Sequence, residues 1–213
     1  GSNHDGQIEA TGRIYIGSYV TLSPRPIEGL INVKFVRCGG NHVVCMNLDD
    51  KIYGWGDNSY GQLGRGDLEV PRGIIECENF NAIDVKDIQC GWYNTTLLSN
   101  EGKVYSCGRN CNGELGIGNK SDLMSIPTII EDMPIIEKII CKKEVTMFID
   151  ENAKLWCCGS NRYGQLGIGS RIPRQYYKPV MNKHIDNIYT VITDGFTSYA
   201  KTIDNEIYVF GVA

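Results

Sequence analysis

The sequence lacks several features that would place it quickly. No apolar run approaches the 18 or more residues that a membrane span requires, because pairs such as Ile135-Ile136 and Ile139-Ile140 are interrupted by charge. Basic residues form neither a tail nor a stripe, and 21 Lys and Arg against 25 Asp and Glu give a net charge of −4, so direct nucleic-acid binding through a large basic footprint is not expected. Histidine is scarce at three residues, and no Ser, Cys or carboxylate recurs beside one in a nucleophilic pattern. Nowhere does an i, i+3, i+4 apolar pattern persist over three turns, which excludes helical solenoids. Nine cysteines are too odd a number, with Cys157-Cys158 adjacent, for a disulfide framework, and suggest a reducing intracellular compartment, cytoplasmic or nuclear.

Glycine, by contrast, is abundant: 25 of 213 residues, above the roughly 7% of ordinary chains. Much of it lies in a repeated block. Tyr53-Gly54-Trp55-Gly56-Asp57-Asn58-Ser59-Tyr60-Gly61-Gln62-Leu63-Gly64-Arg65-Gly66 returns at Tyr105–Gly118 and again at Trp156–Gly169. The anchor glycine recurs at Gly56, Gly108, Gly159 and Gly211, in steps of 52, 51 and 52 residues. A second marker, Cys38-Gly39-Gly40-Asn41-His42, is echoed at Cys90-Gly91-Trp92-Tyr93-Asn94, at Cys141 and, more weakly, at Thr193-Asp194-Gly195, each time 18 residues before the anchor.

Between marker and anchor lie two runs of strand type, joined at Asp49-Asp50, Asn100-Glu101-Gly102, Asp150-Glu151-Asn152 and Asp204-Asn205. Further runs precede each marker: 32–37, 85–89, 135–140 and 187–192. Proline-led runs follow the glycine block at Pro71, Pro127 and Pro179, positions that suit a strand start or sheet edge. The unit is thus about four short antiparallel strands in roughly 51 residues with no convincing helix, which predicts an all-β propeller of four-stranded blades.

The block [Tyr/Trp]-x-x-Gly-x-Asn-x-x-Gly-[Gln/Glu]-Leu-Gly-x-Gly, with the Cys-Gly-x-x-His marker, resembles the repeat of the regulator of chromosome condensation family. The likeness runs from about residue 14 to 211. Two departures stand out: the third marker reads Cys141-Lys142-Lys143, without its glycine, and the fourth block stops after Gly211. A partial unit at the N-terminus, Arg13–Gly17 with Pro24-Arg25-Pro26-Ile27, puts another anchor at Gly17. Gly1-Ser2 reads as a cloning scar, residues 3–13 as an N-terminal lead, and 14–213 as a single propeller domain. Family propellers usually have about seven blades, so about four blades, ending without a glycine block, are expected to be an open arc of a larger ring. Its open blade edges invite homo-oligomerisation.

Gly61, Gly64, Gly66, Gly113, Gly116, Gly118, Gly164, Gly167 and Gly169, like the anchors, are expected to hold left-handed or crowded backbone. Leu63, Leu115 and Leu166, single apolar residues in polar loops, are expected to insert between blades. Gln62, Glu114 and Gln165 can bond loop amides. Three segments imitate chemistry. Gly113–Ser121 falls one residue short of a phosphate-binding loop because Asn119 displaces the lysine. Cys107 and Cys111 have zinc-ligand spacing but no second pair. Cys38, Cys90 and Cys141 share one repeat position, where a small buried residue would pack near the axis. No catalytic residue, metal or cofactor is therefore expected.

Propellers act through loops at their faces, so the candidate partner-binding residues are the non-repeated loop residues Tyr60, Arg65, Arg109, Arg162, Tyr163, Arg171, Arg174, Tyr176 and Tyr177. The expected function is non-catalytic protein interaction within a larger protein. The resemblance implies an alternative, guanine-nucleotide exchange on the small GTPase Ran with chromatin association. The family's archetype, however, carries an inserted hairpin for which intervals of 51 to 52 residues leave no room. A third reading attaches the propeller to a ubiquitin-ligase or kinase domain as its substrate-recognition part.

Overall fold

The computed structural model describes residues 26–212. The anchor at Gly17 and its strand lie outside them. Of the proline-led strand expected there, Pro26 and Ile27 are described and do not form strand. Four antiparallel sheets follow in chain order. The first joins β1 (Val33–Cys38), β2 (His42–Asn47), β3 (Ile52–Gly56) and β4 (Ile75–Glu76). The second joins β5 (Val85–Cys90), β6 (Asn94–Ser99), β7 (Val104–Arg109) and β8 (Leu123–Ile129), and the third β9 (Ile136–Lys142), β10 (Val145–Asp150), β11 (Leu155–Ser160) and β12 (Gln175–Met181). The last has three strands among the described residues: β13 (Ile188–Thr193), β14 (Thr197–Thr202) and β15 (Ile207–Gly211). Each sheet is a blade whose strands pair in sequence order, so this is an all-β arc of four propeller blades.

Register repeats with the sequence: His42 faces Gly56, Asn94 faces Gly108, Val145 faces Gly159 and Thr197 faces Gly211. The hairpins between second and third strands turn where Asp50, Gly102, Ala153 and Asn205 adopt positive φ. The core lies between blades rather than within them. Leu97 joins a cluster with Val44, Ile52, Leu63 and Phe80 of the first blade, whereas its neighbour Leu98 joins Phe148 and Cys158 of the third. Successive strand residues thus feed opposite junctions, which is why β6 and β10 are buried on both faces. Cys157 and Cys158 divide in the same way. Leu63, Leu115 and Leu166 are fully buried.

Three expectations need correction. A single helical turn, α1 (Glu78–Asn81), joins β4 to β5 and buries Phe80 against Gly64; one turn is too short to show a 3.6-residue period. The fourth strands do not begin at proline: Pro127 and Pro179 lie inside β8 and β12, while β4 shrinks to two residues beyond Pro71. Both prolines are tolerated because these strands pair on one side only, at irregularities in the ladder. Cys38, finally, is exposed while Cys90 and Cys141 are buried. All nine cysteines are free thiols, and no group of metal-ligating side chains occurs among the described residues. No helix there is long and apolar enough to cross a membrane.

Candidate functional site

Strand alternation puts the four marker loops and the three glycine-block loops of the described residues at the same end of their blades. The geometry of that end begins with the anchor glycines. Gly108 has φ 107°, and a Cβ there would lie 2.3 Å from the Tyr93 carbonyl oxygen and 2.6 Å from the Asn94 Cα. Its absence lets the next residue bond the marker loop: Asp57, Arg109, Ser160 and Val212 donate their N–H to the carbonyls of Asn41, Tyr93, Glu144 and Phe196. The marker loops are also stitched to one another, since Gly40 N–H donates to the Trp92 carbonyl (3.0 Å) and Trp92 N–H to that of Lys143 (3.1 Å).

Polar groups of the repeat are consumed in holding this frame. Gln62, Glu114 and Gln165 accept the amides of Tyr60, Asn112 and Tyr163, as the sequence suggests. The carbonyls of the same three residues accept hydroxyls of the following blade, from Thr95, Thr146 and Ser198. Asn58, Asn110 and Asn161 accept the amides of Leu63, Leu115 and Leu166. Thr95 spends its one hydroxyl proton on Gln62, so His42 Nε2, 3.0 Å away, must be the donor to Thr95. Nδ1 is then an unprotonated nitrogen with no partner among the described residues, and burial lowers this histidine's pKa to about 4.

The marker's irregularity has a steric cause. A Cβ at Gly39 would lie 2.1 Å from the His42 ring, and one at Gly91 2.1 Å from Asn94 Oδ1. In the third copy the residue at the position of His42 and Asn94 is Val145, and there Lys142 replaces the glycine.

What does not repeat is the side chains carried on the frame. The second and third loop residues read Gly40-Asn41, Trp92-Tyr93, Lys143-Glu144 and Gly195-Phe196. Together with the glycine-block loops they form a continuous aromatic and charged ribbon. Tyr60 and Tyr93 meet at 5.2 Å between ring centroids, and Tyr93 meets Trp92 at 6.4 Å. The Arg109 guanidinium lies 5.9 and 5.7 Å from Tyr60 and Tyr93 and bonds Glu144 at 3.1 Å. Lys143, with φ 53°, holds its ammonium 3.6 Å from the Phe196 centroid and 5.5 Å from that of Trp92. Tyr163 packs edge-on against Phe196 at 5.7 Å. Trp92, Tyr163 and Phe196 remain 43, 50 and 39% exposed around a pocket of about 120 Å³, which Lys143 and Arg162 also line.

Of the nine candidate residues, Tyr60, Arg109, Arg162 and Tyr163 lie on this ribbon. Arg162 donates to Asn112 Oδ1, which also accepts from Gln175. Tyr177 reaches the same loop through a 2.9 Å bond to the Cys111 carbonyl. Tyr176 donates to the Ile172 carbonyl within its own segment, where Arg171 and Arg174 are exposed. Arg65 is not brought to the ribbon; it pairs with Asp67 in its own loop. Trp92, Tyr93, Lys143, Glu144 and Phe196 were not singled out from sequence, although superposing the four marker copies exposes them as the variable positions. Asn94-Thr95-Thr96 has the form of a glycosylation sequon, but Asn94 is buried and cannot carry a glycan.

Two sequence profiles described as "Regulator of chromosome condensation (RCC1) repeat" match, at residues 49–98 and 101–149 and at 33–62 and 85–114, which together cover more than half of the chain. The ultraviolet-B receptor UVR8 of Arabidopsis thaliana is 30% identical over 155 residues, 72% of this chain and 35% of that protein. The regulator of chromosome condensation of Mus musculus is 28% identical over 171 residues, 79% of this chain and 40% of its own length. The mouse serine/threonine-protein kinase Nek9 is 30% identical across 97% of the chain, which is 24% of the kinase. Human WBSCR16 superposes with a TM-score of 0.85 at 21% identity over 99% of this chain and 56% of that one. Saccharomyces cerevisiae Prp20p does so at 0.82 and 23%, over 100% and 50%. The chain spans between a quarter and two fifths of these curated relatives.

Proposed function

From the premise that this chain belongs to the regulator of chromosome condensation repeat family, we propose that it is a non-catalytic propeller arc that presents one face to a protein partner. One observation carries this reading: the variable side chains of the marker loops gather with Tyr60, Arg109, Arg162 and Tyr163 in a single ribbon, held by backbone bonds that do not depend on their identity. Repeated polar groups are occupied by the frame, whereas Trp92, Tyr163, Phe196 and Arg162 face solvent. Tyr, Trp and Arg are the types that dominate interface energetics. Relatives as different as a light receptor and a kinase fit a shared interaction module more readily than a shared chemistry.

The test is affinity capture on the immobilised chain against a Trp92→Ala/Tyr163→Ala double variant. Loss of a specific partner with the double variant, while circular dichroism is unchanged, supports the reading; a partner retained equally by both argues against it.

A kinase among the relatives favours a second, compatible reading, in which the arc recognises substrates for a catalytic domain elsewhere in a longer protein. Exchange activity on Ran is the narrower alternative, supported by the likeness to the mouse regulator of chromosome condensation. It predicts accelerated release of fluorescent GDP from Ran by the full-length protein.

A further inference from the structure

We propose that the pocket between Trp92, Lys143, Arg162, Tyr163 and Phe196 binds an acidic segment of a protein partner, with a carboxylate held between Lys143 and Arg162 and an adjacent apolar side chain laid on the exposed rings. This rests on the reading of the ribbon as an interaction face and adds the partner's chemistry to it.

The charges around the pocket are unequal once internal pairing is counted. Glu144, the one carboxylate lining it, is engaged by Arg109. Asp194, in the marker loop next to that of Lys143, turns its Oδ1 to the amides of Phe196 and Thr197, and these bonds, with Lys143 nearby, hold its carboxyl below the usual carboxylate range. Neither Lys143 nor Arg162 has a carboxylate within ion-pair distance among the described residues. The Lys143 ammonium has two rings beneath it, 3.6 and 5.5 Å from their centroids, and no hydrogen-bond acceptor there. Arg162 commits one N–H, to Asn112, and guanidinium carries five. Two cations rich in unused donors, set beside three partly exposed rings, match an anion next to an apolar group. Guanidinium and ammonium donors to a carboxylate make the stronger class of hydrogen bond.

The form of the anion follows from the surroundings. Two cations on a chain of net charge −4 cannot track a polyphosphate backbone, which takes several phosphate contacts to bind tightly. A single acidic side chain needs no more than two. The rings, each 39 to 50% exposed, offer apolar surface that a lone small anion would leave unused.

The test measures fluorescence polarisation of fluorescein-labelled Asp-Glu-Phe-Asp-Glu-Leu and its amide analogue Asn-Gln-Phe-Asn-Gln-Leu on the whole chain. The expected result is binding of the acidic peptide at least about tenfold tighter than the analogue, weakened at least about tenfold by Lys143→Gln/Arg162→Gln. Lys178→Gln, which removes an ammonium paired with Asp132 elsewhere, should leave it unchanged. Equal affinity for the two peptides, undiminished affinity in the double variant, or tighter binding of single-stranded oligothymidylate at the same site overturns the proposal. Trp92→Ala/Tyr163→Ala separates the two levels of failure. If both peptides bind equally and both are lost with that variant, the interaction face stands and the acidic partner does not. If neither is lost, the face reading falls as well.

Discussion

Two buried titratable residues make stability depend on pH in opposite senses. Glu114 stands where the other copies have Gln62 and Gln165; it is 2% exposed, and burial raises its pKa to about 7. Unfolded, it loses its proton near pH 4.5, so as pH rises from there to 7 the unfolded state ionises first and stability falls, by up to about 3 kcal/mol. Glu114→Gln should abolish that decline and raise the melting temperature at pH 8 by several degrees, with little change at pH 4. His42 works the other way. With a folded pKa of about 4 against 6.5 unfolded, it takes a proton more readily when unfolded, so its contribution is lost as pH falls through that window. Thermal melts of wild type, Glu114→Gln and His42→Gln from pH 4 to 8 resolve the two slopes. A wild-type curve identical in shape to that of Glu114→Gln removes the carboxyl from the account.

Within a blade, stability rests on backbone approaches that only glycine allows and on hydroxyls that tie one blade to the next. Gly108→Ala forces a side chain into positive φ against the Tyr93 carbonyl and should cost about 2–4 kcal/mol. Thr146→Val leaves the Glu114 carbonyl without its hydroxyl donor and should cost about 1–2 kcal/mol. Urea midpoints at constant slope measure both. The anchors were legible in the sequence because each blade demands the same close approach, and demand at fixed spacing prints a fixed residue. So were the roles of Gln62, Glu114 and Gln165. The bonding role of Thr95, Thr146 and Ser198 was not, since threonine in a strand also reads as an ordinary β-former. Nor were Lys142 and Val145 legible as a pair, because a glycine's necessity depends on a side chain three positions later. The marker-loop half of the ribbon escaped for a deeper reason: repeats reveal what every copy shares, whereas Trp92 and Lys143 are unlike residues at one repeat position and meet Phe196 from the position after it.

At the scale of the whole molecule, the inner strands β1, β5, β9 and β13 neighbour one another in turn, and the end blades are unlike the middle ones. Val33 and Val36 on β1, and Tyr189, Ile192, Tyr199, Ile207 and Val209 on β13, β14 and β15, are exposed apolar or aromatic residues. Apolar faces of this kind predict that the isolated chain associates as concentration rises. Light scattering from micromolar to millimolar concentration checks this, and a monomer throughout counts against it. The stitching of Gly40 to Trp92 and Trp92 to Lys143 has a consequence of another kind. Because main-chain atoms make those bonds, neighbouring blades behave as coupled links, and an amide at one loop cannot open without loosening the loop beside it. A ligand that settles on the ribbon at one blade would then slow amide exchange at blades it never touches, and the face would register occupancy as a change in rigidity along its length.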